Sequence, residues 1–183
     1  MYGIDESLLT VSTEAVASAY EETVLKPLLQ LSGGKIDCVL LGFGPDGHTC
    51  SLFPNHPLLH KDELRYVAPI DDSPKPPMSR ITLTLPILNM YSRHIIFCGA
   101  GSSKLPILDA VFKTPINWLV HESQDFTCQS MQGVLQADET ANQKATVEMV
   151  DPAPFPCGMV RPEGEGGNDR LVWIVDHDAW GGI

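Results

Sequence analysis

The stretch from 42 to 54 reads Gly-Phe-Gly-Pro-Asp-Gly-His-Thr-Cys-Ser-Leu-Phe-Pro and holds side chains suited to proton transfer. His48 is the one group in it whose unperturbed pKa suits that task near neutrality. Asp46 lies two residues earlier, where it can orient either the imidazole or a water, as a carboxylate orients the histidine of a triad. Gly42, Gly44 and Gly47 let the backbone close on a ligand. Backbone N–H groups of the loop and of the segment after it can receive a developing oxyanion. The chemistry implied is general-base activation of a water, a device worth ~10²–10⁴-fold in rate.

An anionic ligand would need basic anchors. Arg80 can offer a planar fork to two phosphate oxygens. Lys104 falls at a predicted helix start, where free N–H groups and the dipole already favour an anion. Lys75, on a proline-stiffened loop, either touches a ligand or stays solvated. Taken singly, each residue also admits a structural role. His48 can cap a turn, Arg80 can pair with a surface carboxylate, and Lys104 can decorate a helix start.

Three further patterns carry less. Cys50 stands two residues from His48, and on the helix expected there such residues do not face each other, so a packed thiol is expected. His56 and His60 are four apart but have no third ligand nearby, so no metal site is expected. Ser32-Gly33-Gly34-Lys35 mimics a phosphate loop but precedes its strand, which makes it a helix terminator.

The elements that must position these residues can be read from periodicity. Val16, Tyr20, Val24, Leu28 and Leu31 recur at helical spacing behind a Ser12–Thr13 cap, with Pro27 expected to kink or split the run. Ile36 to Leu41 reads as a buried strand feeding the glycine loop, with a helical start near His48 to Phe53 closed by Pro54. Ile81 to Leu85 and His94 to Cys98 read as strands. Ser102 or Ser103 is expected to cap the helix after Gly101, and Leu171 to Val175 supplies the last strand. Residues 117 to 152 are polar and aperiodic, an expected insertion of loop and weak helix, and residues 164 to 168 read as a turn.

Alternating helix and strand imply an α/β fold in one domain over residues 1–183, with a mostly parallel sheet and helices on both faces. Only about three or four strands are visible, short of the usual five or six. With 43% apolar residues the chain can bury a real core, and its net charge of −11 argues against a nucleic-acid or anionic-membrane surface. No stretch approaches a membrane span, and the N-terminus lacks a signal-peptide pattern. The five cysteines are odd in number and widely spaced, which argues against a disulfide framework. Those inside strand-like runs, Cys38 and Cys98, are expected to be buried. A cytoplasmic location is expected.

Several blocks in fixed order resemble the 6-phosphogluconolactonases. They are Gly42-x-Gly44-x-Asp46-Gly47-His48-x-x-Ser51-Leu52-Phe53-Pro54, then Asp72-Ser73-Pro74-Lys75-Pro76-Pro77 with Arg80-Ile81-Thr82-Leu83-Thr84-Leu85-Pro86-x-Leu88-Asn89. Gly101-Ser102-Ser103-Lys104, Pro156-Cys157-Gly158 and Trp173-x-x-Asp176 follow. The likeness spans roughly residues 13 to 112 and 154 to 177. It implies a Rossmann-like fold shared with glucosamine-6-phosphate deaminases, and no cofactor. It also implies hydrolysis of 6-phospho-D-glucono-1,5-lactone to 6-phosphogluconate in the oxidative pentose phosphate pathway, with Arg80 and Lys104 at phosphate-contacting positions. Related deaminases and isomerases usually carry Asn-Gly-His where this chain has Asp46-Gly47-His48, which favours the lactonases.

The family also carries, ahead of the signature strand, a strand with a Ser-Gly-Gly-Ser loop and then an Asp-Glu-Arg segment. Neither stands upstream here. The expectation is a sheet lacking the N-terminal strands of the family, with an uncovered edge and faces that invite pairing with another chain. The alternative to an enzyme is therefore a non-catalytic fragment or isoform that acts by binding.

Overall fold

The computed structural model describes residues 2–60, 65–113, 129–132, 134–136, 144–146, 148–164, 167 and 170–180. The chain opens with α1 (Thr13–Tyr20), whose first turn is capped by Ser12 Oγ accepting from the Ala15 amide at 3.1 Å. The expected split near Pro27 is present. A π-helical turn, Glu21–Leu25, widens the helix before α2 (Lys26–Leu31), and Pro27 sits in the first turn of α2, where its missing N–H costs least.

Strand β1 (Ile36–Gly42) leads into the glycine loop. A hairpin follows, β2 (Val67–Ile70) antiparallel to β3 (Arg80–Leu83), then α3 (Leu85–Tyr91) with Pro86 in its first turn. Next come β4 (Ser92–Gly99), α4 (Leu105–Val111), β5 (Gln129–Gln132), β6 (Val134–Gln136) and β7 (Lys144–Thr146). The described part of the chain closes with α5 (Pro156–Met159), β8 (Leu171–Val175) and α6 (His177–Trp180). β1, β4 and β8 run parallel in the order β1-β4-β8, and β5 adds to β8 antiparallel. The mostly parallel sheet with helices is the α/β architecture expected. No helix among the described residues is long and apolar enough to cross a membrane.

Four expectations are corrected. Residues 48–53 form no helix: an isolated bridge joins Thr49 to Leu52, and Cys50 has a positive φ of 52°. Neither Ser102 nor Ser103 caps α4, which follows a 3₁₀ turn over Ser102–Lys104. The polar region 117–152 contributes three strands where it is described, because β5 finds antiparallel partners on β8, and β6 and β7 on each other, none of which local periodicity reveals; most of its remainder, like part of the turn at 164–168, lies outside the described residues. Finally, Cys38 and Cys98 are exposed. They belong to the strand faces opposite Val39, Leu41, Ile95 and Phe97, and on that side Leu40 is 71% exposed.

The core lies on the other face. Trp173 stacks on Phe97 with centroids 4.1 Å apart and takes Phe43 and Phe112 edge-on at 5.1 and 5.3 Å. Leu29, Leu88, Leu108 and Val160 complete it from the helices and the segment after α5. This aromatic cluster sits beneath the carboxyl ends of the parallel strands, where Gly42 is level with Cys98 and Gly99 with Val175. Loops diverge there, so the glycine loop is presented at the ligand-binding end of the sheet.

Candidate active site

The loop after β1 is pinned at three points. Phe43 is buried in the aromatic cluster. Thr49 is fully buried and donates its hydroxyl to the Gly42 carbonyl at 2.9 Å, tying the two ends of the loop together. The Ser51 amide donates to Thr82 Oγ1 at 3.0 Å, which fixes the loop to β3. Between the pins the chain turns tightly. The Gly44 amide donates to the His48 carbonyl, and the Gly47 amide to the Gly44 carbonyl, both at 2.9 Å. These two amides are thus engaged within the loop rather than turned to an oxyanion, and no helix start follows to supply others.

The turn brings Asp46 Oδ1 to 2.6 Å from His48 Nδ1. Lys75 Nζ, from the proline loop, lies 2.8 Å from the other carboxylate oxygen, Oδ2, and 3.4 Å from His48 Nδ1. Burial disfavours the Asp46 carboxylate, but hydrogen bonds from Lys75 and His48 outweigh it and lower its pKa to about 2. An ionised carboxylate only accepts, so the proton of the short contact belongs on Nδ1. That leaves the Nε2 lone pair of His48 as the acceptor a general base requires.

Phe53, 2% exposed, supports the imidazole from one side with ring centroids 4.8 Å apart. The Arg80 guanidinium lies against the same phenyl ring at 5.7 Å. Its Nε donates to the Pro77 carbonyl at 2.8 Å, and its Nη2 donates to those of Lys75 and Pro76 at 2.8 and 2.7 Å. In this geometry the planar fork holds the proline loop. Lys104 Nζ donates to the Phe43 carbonyl and lies 5.2 Å from that ring, at the first turn of the glycine loop. Both basic residues therefore converge on the loop, Arg80 through Phe53 and Lys104 through Phe43.

An open cavity of about 490 Å³ is lined by Gly42, Phe43, Gly44, His48, Cys50 and Leu83 together with residues 39–41 of β1. Its size suits a sugar phosphate. Burial pushes the Cys50 thiol up to about 11, so it is no nucleophile at neutral pH. Among the described residues no group of His, Cys, Asp and Glu side chains could hold a metal.

Phe53, Thr49, Thr82 and Phe155 also build the site, although none of the four is of a residue type that marks chemistry. The Phe155 ring packs on Gly47, and the Cys157 amide donates to the Gly47 carbonyl at 3.0 Å. Phe53 has a local signal, standing five residues from His48 in the same motif. Phe155 carries no local signal, since it meets the loop only through the fold.

A model of the family described as glucosamine-6-phosphate isomerases/6-phosphogluconolactonase matches residues 1–128, well over half the chain. The chain belongs to this family. It is 44% identical over 113 residues to 6-phosphogluconolactonase of Homo sapiens, covering 60% of this chain and 43% of that protein. The Bos taurus protein of the same name matches equally, with the same identity, length and coverage. The crystal structure of 6-phosphogluconolactonase from Leishmania guyanensis superposes with a TM-score of 0.59 at 24% identity, covering 100% of this chain and 61% of that one. That likeness carries the fold. The chain spans less than half the length of the human and bovine relatives.

Proposed function

We propose that this site hydrolyses 6-phospho-D-glucono-1,5-lactone to 6-phosphogluconate, the oxidative pentose phosphate step. The observation that carries this reading is the Asp46–His48 contact of 2.6 Å at the edge of a cavity of sugar-phosphate size, in a chain whose relatives are named for that lactone. His48 Nε2 takes a proton from water as it attacks the lactone carbonyl, while Asp46 steadies the imidazolium that forms. The ring C–O bond then breaks, and the proton passes to the departing ring oxygen. A lactone is an activated ester, so this base suffices without a covalent intermediate. Gly42 and Gly44 shape the wall, Lys104 is the anchor offered to the phosphate, and Lys75 and Arg80 lie beside the base. The cysteines at 38, 50, 98 and 157 are free, which fits a reducing, cytoplasmic setting.

A second reading, a binding module without activity, is favoured by one feature. β1 is an edge strand among the described residues and carries Leu40 at 71% exposure. One experiment separates the two. The full chain is mixed with freshly generated 6-phosphogluconolactone, and in parallel with unphosphorylated gluconolactone, and each rate is compared with spontaneous hydrolysis. Acceleration selective for the phosphorylated lactone supports the enzyme. No acceleration from soluble, cooperatively folded protein supports the binding module.

A further inference from the structure

The proline loop meets the glycine loop through one side chain, and the geometry of that meeting exceeds what a solvated lysine needs. We propose that Lys75 is a positioning residue, braced by Arg80, that fixes which nitrogen of His48 carries the proton. Three distances carry this. Lys75 Nζ stands 2.8 Å from Asp46 Oδ2, Asp46 Oδ1 stands 2.6 Å from His48 Nδ1, and Lys75 Nζ stands 3.4 Å from Nδ1 itself. With Nδ1–H donating to Asp46, the ammonium has no lone pair to meet at that nitrogen, so its partner is the carboxylate.

A base must present a bare nitrogen to water, so the proton of the neutral ring has to sit on Nδ1 and leave Nε2 free. Lys75 supports this by pairing with Asp46, which as a carboxylate only accepts and so holds that proton on Nδ1. It also occupies the carboxylate oxygen that the imidazole does not use, so Asp46 cannot swing to present either oxygen. The charged groups facing the ring are Asp46 from its own loop and Lys75 from the proline loop, with Arg80 behind Phe53. Lys104 adds a positive charge at the Phe43 carbonyl.

Arg80 makes the placement reproducible. Its donors fix the carbonyls of Lys75, Pro76 and Pro77, the three residues from which the lysine side chain springs and continues. A fork bound to three consecutive carbonyls holds the backbone at Lys75 in one orientation, which a single flexible donor does not do.

The inference rests on His48 as the base only for its catalytic meaning, and its test needs no turnover. The full chain, labelled with ¹⁵N at the histidine rings, is measured by NMR as wild type, Lys75→Met and Lys75→Arg, with His48→Ala identifying the His48 signals. The expected wild-type spectrum of the neutral ring shows His48 protonated on Nδ1 and bare on Nε2. In Lys75→Met the Nε2–H tautomer becomes populated, and Lys75→Arg restores most of the Nδ1–H form. An Nε2–H tautomer in the wild type overturns the proposal, whether or not the variants fold. So does a tautomer ratio that Lys75→Met leaves unmoved, or that Lys75→Arg moves as far as Lys75→Met. Absence of lactone hydrolysis in every variant, beside the expected NMR shifts, counts against the lactonase reading alone.

Discussion

The α-carbon of Gly44 lies directly beneath the His48 imidazole: a Cβ built there stands 2.2 Å from Nδ1 and 2.4 Å from Asp46 Oδ1. No side chain fits without parting the dyad. Gly44→Ala is expected to lower kcat/KM by about 100-fold or more, since a displacement near 1 Å at the reacting group has that scale. Circular dichroism should remain that of the folded protein, because the clash is confined to two side chains. Near wild-type kcat/KM in a folded Gly44→Ala variant would show that the imidazole can work from elsewhere.

Asp46 makes stability depend on pH in a defined window. Its folded pKa, about 2, lies below the 3.8 of an unperturbed Asp. The unfolded state therefore binds the proton more readily, and this contribution is complete above the unfolded value and is lost as pH falls through the folded one. Denaturant titrations of wild type and Asp46→Asn should differ above about pH 4. The difference should shrink between about pH 4 and pH 2. A difference that stays flat across that range contradicts the ion-pair account of Asp46.

Gly47 couples the loop to the far end of the chain. It has φ +77°, and a Cβ would meet the Phe155 ring at 2.5 Å. Gly47→Ala is expected to cost about 1 kcal/mol from the left-handed backbone alone, with a further loss from the displaced ring. Chemical denaturation should show a lower midpoint, and Phe155→Ala combined with Gly47→Ala should recover part of the deficit caused by the clash. If the double variant is less stable by the full sum of the single losses, Phe155 does not press on this glycine.

Much of this was legible because it is local. The run Cys38 to Leu41 followed by glycines announces a strand and its ligand-binding end, and Asp46 and His48 are close enough in sequence for one turn to join them. Pro27 splits its helical run because a proline inside a helix removes a backbone donor. What failed depended on distant partners. A helix was expected at 48–53, but bonds from Thr49 to Gly42 and from Ser51 to Thr82 hold the segment in a turn. Cys38 and Cys98 look like core residues in strand runs, yet burial depends on what covers each face of the sheet, and periodicity alone does not say. The hold of the Arg80 fork on three backbone carbonyls of the proline loop likewise has no local signal.

The proposed hydrolysis stands on His48 as the base that activates water. The direct measurement compares hydrolysis of 6-phosphogluconolactone by wild type and His48→Ala, above the spontaneous rate, with both proteins shown to melt cooperatively. The expected result is a clear wild-type acceleration that falls by ~10²–10⁴-fold in the variant. Equal rates in the two proteins would contradict it.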